Sequence, residues 1–185
     1  MDVFSAFGLS ASAGLNAYIP LLVVAILAKY TDLIKLDQPW NALTSWWVIG
    51  LLILLSLIEF FADKIPAVNH VNDVVQTFVR PAAGAIVFAA SSHVVTNIHP
   101  VLSMIAGIII AGAVHAAKAL AVRPAVTATT GGTANVPVSI LEDFISTITS
   151  IAAVLLPMVV AVIIMLVLLL FIVWLWRRTN NQNIW

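Results

Sequence analysis

Acidic and basic side chains interrupt the apolar segments of this chain at spacings that place them on shared helix faces. Glu59 and Asp63 are four residues apart at the end of one apolar run, and His115 and Lys118 are three apart in another. Residues three or four apart lie on the same face of a helix. An ionisable group inside a bilayer is costly and normally faces protein, water or a partner charge. This pattern predicts a polar site within a membrane.

Two kinds of chemistry fit such a site. Buried carboxylates can exchange protons, or they can coordinate a hard cation together with Asn16 and threonine oxygens. No cofactor is expected, and the sequence does not identify a metal. The candidate pathway residues are Asn16, Tyr18, Glu59, Asp63, His115, Lys118, Arg123, Glu142 and Asp143.

The acidic candidates also have plain structural explanations. Glu59 and Asp63 could have left the hydrocarbon region and sit at the membrane interface. Glu142 and Asp143 could cap the start of a helix, where acids are favoured by the helix dipole.

The basic candidates have structural explanations too. Lys118 and Arg123 could extend to the lipid headgroups and serve only as topology anchors. His115 lies deeper in its segment, so it is either a hydrogen-bonded packing residue or a proton or ion site.

Residues 123–137 show neither helical nor alternating periodicity and hold two adjacent glycines between prolines, which predicts an irregular loop. Non-helical backbone near a bilayer requires protein or water to satisfy its polar groups. The loop is therefore either the lining of a polar vestibule or a solvent-exposed linker. Its candidate vestibule residues are Thr127, Thr129, Thr130, Gly131, Gly132, Thr133 and Asn135.

The elements that hold these residues must be membrane helices. The chain has 185 residues, of which 62% are hydrophobic and 9% charged, and its mean hydropathy is +1.10. This composition is typical of an all-α integral membrane protein, and at roughly 20 residues per span it supplies about six transmembrane helices. The predicted spans are 3–28, 45–63, 82–98, 101–122, 139–155 and 158–176, with a short tail at 179–185.

Two of these spans have weak points. The first span is predicted to be broken or kinked near its middle, because it is interrupted by Gly8, Gly14, Asn16 and Pro20. Pro157 divides the last apolar stretch into the fifth and sixth spans, although a single kinked helix there, giving five spans, is an alternative.

Residues 66–81 give the clearest helical pattern in the chain. Val68, Val71, Val75 and Phe78 share one face. With Pro66 to start it and Pro81 to end it, this segment predicts an interfacial amphipathic helix at the headgroup level. Its polar face carries Asn69, Asn72, Asp73, Gln76 and Arg80.

Two short segments, "SLIEFF" at 56–61 and "SILEDF" at 139–144, echo each other. If each half of the single membrane domain contributes three spans, the halves 1–97 and 98–178 must be inserted in opposite senses. Inverted repeats of this kind are typical of transporters and channels. The alternative is that the match arose by chance.

Charge placement predicts the orientation of the six spans. With both termini in the cytoplasm, the inner segments hold six basic residues and the outer ones two, Lys29 and Lys35. The positive-inside rule favours this arrangement over five spans.

Three stretches resemble a family of small bacterial membrane proteins, the domain-of-unknown-function family 4126. They are "GLNAYIPLL", "EFFADKIPAVNHVNDVVQTFVRPAAGAI" and "HAAKALAVRPAVTATTGGTANVPVSILEDF", and the resemblance covers most of residues 8 to 160. It implies a multi-pass protein of the bacterial inner membrane, and it implies no activity.

The sequence thus predicts a transporter or channel for an ion or small solute, with Glu59, His115, Lys118 and Glu142 on its pathway. The alternative is a membrane scaffold or lipid-interacting protein that works through the helix at 66–81. We find no enzyme motif, and the formal net charge of +0 gives no reason to expect nucleic acid as a partner. Membrane lipids are expected partners, as are further copies of the chain, because one small bundle leaves little room to enclose a pathway.

Overall fold

The computed structural model describes residues 3–64, 66–92 and 99–181, which are helical apart from short connections. A 3₁₀ turn covers Trp40–Thr44, and a π-helical turn at Lys118–Val122 joins α5 to α6. The helices are α1 (Val3–Leu15), α2 (Tyr18–Tyr30), α3 (Trp46–Ala62), α4 (Pro66–Ser92), α5 (Pro100–Ala117), α6 (Arg123–Thr130), α7 (Asn135–Leu155) and α8 (Pro157–Asn181).

Local chemistry explains where these helices begin and end. The Asn16 side chain accepts hydrogen bonds from the backbone N–H groups of Tyr18 and Ile19, so it caps α2. Ser45 caps α3 in the same way. Gly131 ends α6 with φ at +61°, a left-handed conformation that glycine adopts without strain.

Four helices in the described ranges are long and apolar enough to cross a bilayer, and α1, α2 and α3 are shorter apolar helices. The chain is an all-α membrane protein, as predicted. The four long candidates are Asn72–Ser91, Pro100–Thr130, Asn135–Leu155 and Pro157–Trp174.

Helices α7 and α8 form a hairpin. Gly8 of α1 lies against both Ala153 and Val160, which flank the junction. Farther along, Val138 and Phe171 line one cavity, although a continuous helix would separate them by about 50 Å. The chain therefore reverses at Leu156, and the alternative of one kinked helix is wrong.

Contacts along α1 fix its direction. Successive residues of α1 contact progressively earlier residues of α7. Gly8 contacts Ala153, Ser12 contacts Ser150 and Ser146, and Asn16 contacts Asp143. Helix α1 is therefore antiparallel to α7 and parallel to α8. We call the end of the bundle that holds Leu156 the Leu156 end, and the end that holds the turn at 131–134 the Gly131 end. Helix α1 begins at the Leu156 end and runs towards the Gly131 end.

Helix α2 returns to the Leu156 end. Glu59 of α3 pairs with Arg80 and Asp63 pairs with Asn72, so α3 and α4 are antiparallel and α3 runs towards the Gly131 end. Lys29, at the end of α2, donates to the carbonyl of Thr44 just before α3 begins.

Helices α1 and α2 therefore form a second hairpin, with Asn16 at its tip. Each arm has 13 residues and is about 20 Å long, which is shorter than the roughly 30 Å hydrocarbon core. The predicted break in the first span is confirmed, but the chain turns back there and does not continue as one span.

Helices α4 and α5 pack closely through glycines. A Cβ atom on Gly84 would lie only 2.7 Å from the carbonyl oxygen of Gly107, so the two backbones touch. The Ser10 hydroxyl of α1 donates to the Gly84 carbonyl at 3.0 Å. Small residues that allow close backbone approach are typical of membrane helix interfaces.

Two predicted elements are wrong. The helix at 66–81 does not end at Pro81, because α4 continues through it to Ser92. The proline removes one backbone hydrogen bond, which a helix packed among neighbours tolerates. The predicted loop at 123–137 is helical up to Thr130 and again from Asn135, so only a short turn remains.

The sequence predicted both termini on one side of the membrane. Because α1 and α8 are parallel, Val3 and Asn181 lie at opposite ends of the bundle. Helix α8 extends through Asn181, and residues 182–185 of the predicted tail lie outside the described residues. Two inverted halves stay a prediction. The echoing segments lie in α3 and α7, which run in opposite directions, whereas α1 and α5 run in the same direction: Gly14 meets Val114, and Leu15 meets Lys118.

Candidate functional site

Four acidic and four basic side chains form ion pairs between helices near the tip of the α1–α2 hairpin. We call this set the charge cluster. Its members make up half of the eight acidic and eight basic residues of the chain. They are Glu59, Asp63, Glu142 and Asp143, with Lys64, Arg80, Lys118 and Arg123.

One part of the charge cluster joins α3, α4 and α5. Arg80 donates to Glu59 at 2.9 Å, and both side chains are almost completely buried. The same guanidinium lies 3.1 Å from Nδ1 of His115, and Nε2 of that imidazole lies 3.2 Å from the Thr77 hydroxyl. A carboxylate, a guanidinium and an imidazole are thus linked inside the protein.

The second part joins α7 to the end of α5 and the start of α6. One oxygen of Glu142, Oε2, lies 2.9 Å from the Lys118 ammonium and 2.9 Å from the Arg123 guanidinium. Arg123 also lies 3.6 Å from Asp63. Lys118 opens the π-helical turn, a distortion that is frequent at functional sites.

The tip of the α1–α2 hairpin contacts this second part. Lys118 donates to the backbone carbonyl of Leu15 at 3.3 Å, and the Asn16 amide donates to Asp143 at 2.9 Å. Lys64 completes the charge cluster at 3.8 Å from Asp143. The unwound backbone between α1 and α2 is therefore satisfied by buried polar groups.

The structure bears on the structural explanations for the acidic residues. Glu59 and Asp63 are 1% and 4% exposed, so both side chains are buried in the protein, and their position at the membrane interface stays a prediction. Glu142 and Asp143 lie well inside α7, which begins at Asn135, so they do not cap it.

The anchor explanation for the basic residues is wrong as well. Lys118 and Arg123 are 4% and 8% exposed and are held by carboxylates, so they do not extend to the headgroups. His115 is buried and hydrogen-bonded, which fits both of its predicted roles. Tyr18 is half-buried at the start of α2, and its hydroxyl shares a hydrogen bond with Gln76.

Part of the polar face assigned to an interfacial helix belongs to this site. Gln76 and Arg80 are buried, and Asn72 donates to Asp63 at 2.7 Å. Asp73 is half-buried, and the side chain of Asn69 lies outside the described part of the chain.

Two further polar contacts were not predicted. Ser139 donates to Asp63 at 3.2 Å, and Thr77 contacts His115. Ser139 belongs to the repeated "SILEDF" segment, where its position three residues before Glu142 was the available signal.

The candidate vestibule residues lie apart from the charge cluster. Thr127, Thr129 and Thr130 are exposed on α6, and the hydroxyls of Thr129 and Thr130 donate to carbonyls of their own helix. Asn135 donates to Thr127 at 3.1 Å across the turn. Gly131 and Thr133 are exposed within the turn itself, and Gly132 is half-exposed there.

Among the described residues, several buried polar atoms of the charge cluster have no hydrogen-bond partner, including Oε2 of Glu59, Nε of Arg80, and Nε and Nη1 of Arg123. Such atoms are costly to leave unpaired, and they mark places where a solute or water can bind. Within residues 3–64, 66–92 and 99–181, no group of three or more His, Asp or Glu side chains is arranged to hold a metal ion.

A cavity of about 480 Å³ adjoins the charge cluster. Helices α1, α5, α7 and α8 enclose it, and Lys118 and Glu142 are the charged residues in its wall. Ser12 and Thr149 contribute hydroxyls, and the remaining lining is aliphatic or aromatic. The site thus joins an ionic centre to an apolar chamber.

The family model described as "Domain of unknown function (DUF4126)" matches residues 3–178, so the chain belongs to this family. No curated protein and no solved structure matches the chain. The family description assigns no activity.

Proposed function

We propose that this DUF4126 protein is a membrane carrier for a small solute or ion, with the charge cluster on its pathway. The observation that carries the proposal is the half-length hairpin α1–α2, whose tip at Asn16 contacts intramembrane charges. Interrupted membrane helices whose ends meet polar groups form the binding sites of many transporters.

Stability alone does not account for the charge cluster. Replacing a buried ion pair by well-packed apolar residues is often neutral or stabilising. Ionisable residues in membrane segments are therefore functional candidates in the first place. The unpaired atoms on Glu59, Arg80 and Arg123 support this, because they leave hydrogen-bonding capacity for a passing solute.

The ion pairs favour a carrier over an open channel. Glu59, Arg80 and Lys118 fill the centre of the bundle and are each less than 5% exposed. A solute can pass only if these pairs separate and exchange partners. Movement of the hairpin tip would produce that exchange, because Lys118 contacts both the Leu15 carbonyl and Glu142.

The scaffold alternative has less support from this geometry. It needs the polar face of residues 66–81 to lie against water or headgroups, and Gln76 and Arg80 of that face are buried. We expect the carrier to reside in the bacterial inner membrane and to associate with further copies of itself.

The test is solute flux in proteoliposomes. Purified protein is reconstituted and assayed with protons, metal cations, inorganic anions and small organic acids, for wild type and Glu59→Gln. Asp73→Asn is the matched control, since it also neutralises one carboxylate, and Asp73 lies outside the charge cluster. We expect Glu59→Gln to lower flux at least tenfold and Asp73→Asn to leave it near wild type.

Two results would overturn the proposal. One is a Glu59→Gln variant that transports as fast as wild type. The other is a folded wild-type protein that moves none of the assayed solutes.

A further inference from the structure

We infer that the cavity between α1, α5, α7 and α8 binds a single-chain anionic amphiphile, with its head at Lys118 and its hydrocarbon chain against α7 and α8. This inference names the substrate class of the proposed carrier, so the cellular role of the cavity rests on the proposed function. The site itself is tested by binding alone.

The size and lining of the cavity fit such a ligand. Its volume of about 480 Å³ lies within the range of pockets that hold small organic molecules. Along α7 the lining extends from Val138 to Thr149, a distance of about 17 Å at the helical rise, so the chamber is elongated. An apolar chamber of this kind does not retain water and favours a hydrocarbon chain.

The outer rim of the cavity lies on the apolar surface of the bundle. Ile145 and Ile163 line the cavity and are also 42% and 54% exposed. In a membrane these side chains face acyl chains, so a lipid-soluble molecule can enter sideways from the bilayer. The volume of about 480 Å³ suits one chain and a small head, so we assign a single-chain molecule.

The ion pairs at the inner end select the charge of the head. Glu142 holds both Lys118 and Arg123 on one oxygen. If an incoming carboxylate takes Lys118, Glu142 keeps Arg123, which it shares with Asp63, so each charge still contacts an opposite one. A cationic head would take Glu142 and leave the buried Lys118 ammonium, among the described residues, with the Leu15 carbonyl alone. An unpaired buried charge is strongly unfavourable, so the site prefers an anion.

Binding is measured in lipid nanodiscs with three ten-carbon probes: decanoate, decanol and decyltrimethylammonium. The readout is the rise in melting temperature as a function of probe concentration. For the wild-type protein we expect decanoate to act at a concentration at least tenfold lower than either other probe. Ile145→Trp, which fills the cavity, should remove the decanoate response.

Ile148→Trp is the matched control, since Ile148 lies three residues along the same helix, is 49% exposed and does not line the cavity. It should respond as wild type does. Lys118→Gln should bind decanoate no better than decanol. If that variant does not fold, photocrosslinking of wild type with a diazirine-labelled decanoate replaces it, and labels should fall on 138–149 and 163–171.

Several results would overturn the inference. If all three probes raise the melting temperature equally, and still do so in Ile145→Trp, the probes partition into the bilayer and do not bind at this site. A preference for decyltrimethylammonium would refute the charge argument, and labels confined to other helices would refute the location. Loss of flux with retained decanoate binding would refute the carrier proposal and leave this site intact.

Discussion

Glu59 and Arg80 are the most deeply buried ion pair of the charge cluster, at 1% and 0% exposure. Taking either charge out of water is costly, and only the partner and its hydrogen bonds compensate. The pair therefore matters in two separate ways, as a condition for folding and as a group that can exchange partners. The two contributions can be separated by mutation.

Glu59→Leu should lower stability strongly, because it leaves the Arg80 guanidinium buried without its carboxylate. Removing one partner of a buried pair costs about 3–5 kcal/mol. The double variant Glu59→Leu/Arg80→Leu should melt closer to wild type than Glu59→Leu does, as followed by thermal unfolding in detergent. A double variant that melts at or below the single variant would show that Arg80 is stabilised mainly by other partners, such as His115.

At this scale the sequence identified most of the site. Charged residues within apolar runs are conspicuous, so Glu59, His115, Lys118 and Glu142 could be selected without a structure. Arg80 and Gln76 were assigned to the water-facing side of a surface helix. Periodicity shows that such residues share a face, but it does not show whether that face meets water or a buried carboxylate.

For the whole of helix α4, too, the sequence pattern does not show whether the polar side chains face water or the protein interior. Its first half is polar enough to suggest a surface helix, and Pro81 suggested an end. The polar side chains are instead satisfied by Glu59, Asp63 and Tyr18, which lie outside this helix. Tertiary contacts decide such cases, and no local pattern encodes them.

Labelling of single cysteines tests the placement of α4. The chain contains no cysteine, so each introduced thiol reports alone. In inside-out membrane vesicles, Gln76→Cys should resist a membrane-impermeant maleimide because Gln76 is 2% exposed. Thr133→Cys, on the exposed turn between α6 and α7, should react in the same vesicles. Equal reactivity at both positions, with an unchanged melting temperature, would support the prediction that residues 66–81 form an interfacial helix.

The contact between α4 and α5 gives a second prediction for an element. A Cβ atom on Gly84 would clash with Gly107 and Ala111, whereas one on Gly50 of α3 would meet nothing within 4 Å. Overpacking costs about 1–3 kcal/mol, so Gly84→Ala should lower the melting temperature. Gly50→Ala should leave it unchanged or raise it, since alanine favours a helix by up to about 1 kcal/mol. A comparable decrease in melting temperature in both variants would contradict the close packing of α4 and α5.

For the molecule as a whole, the hairpin α1–α2 changes the topology that the charge pattern suggested. The positive-inside count gave the inner side six basic residues. Three of them, Arg80, Lys118 and Arg123, are buried in the charge cluster and do not contribute as surface charges. Arg177 and the exposed turn at 131–134 lie at one end of the bundle. Lys29 lies near the other end, next to Trp46.

The directions of the helices therefore predict termini on opposite sides of the membrane. Helices α3, α4, α5–α6, α7 and α8 alternate in direction, and α1–α2 enters and leaves at the Leu156 end. Since Arg177 and Arg178 follow α8's apolar run, the positive-inside rule puts the C-terminus in the cytoplasm and the N-terminus outside. A green fluorescent protein fused to the C-terminus should fluoresce, and alkaline phosphatase inserted in the connection at 31–39 should be active. A green fluorescent protein fused to the N-terminus that also fluoresces, with these two results unchanged, would mean that α1 and α2 cross the membrane as one span.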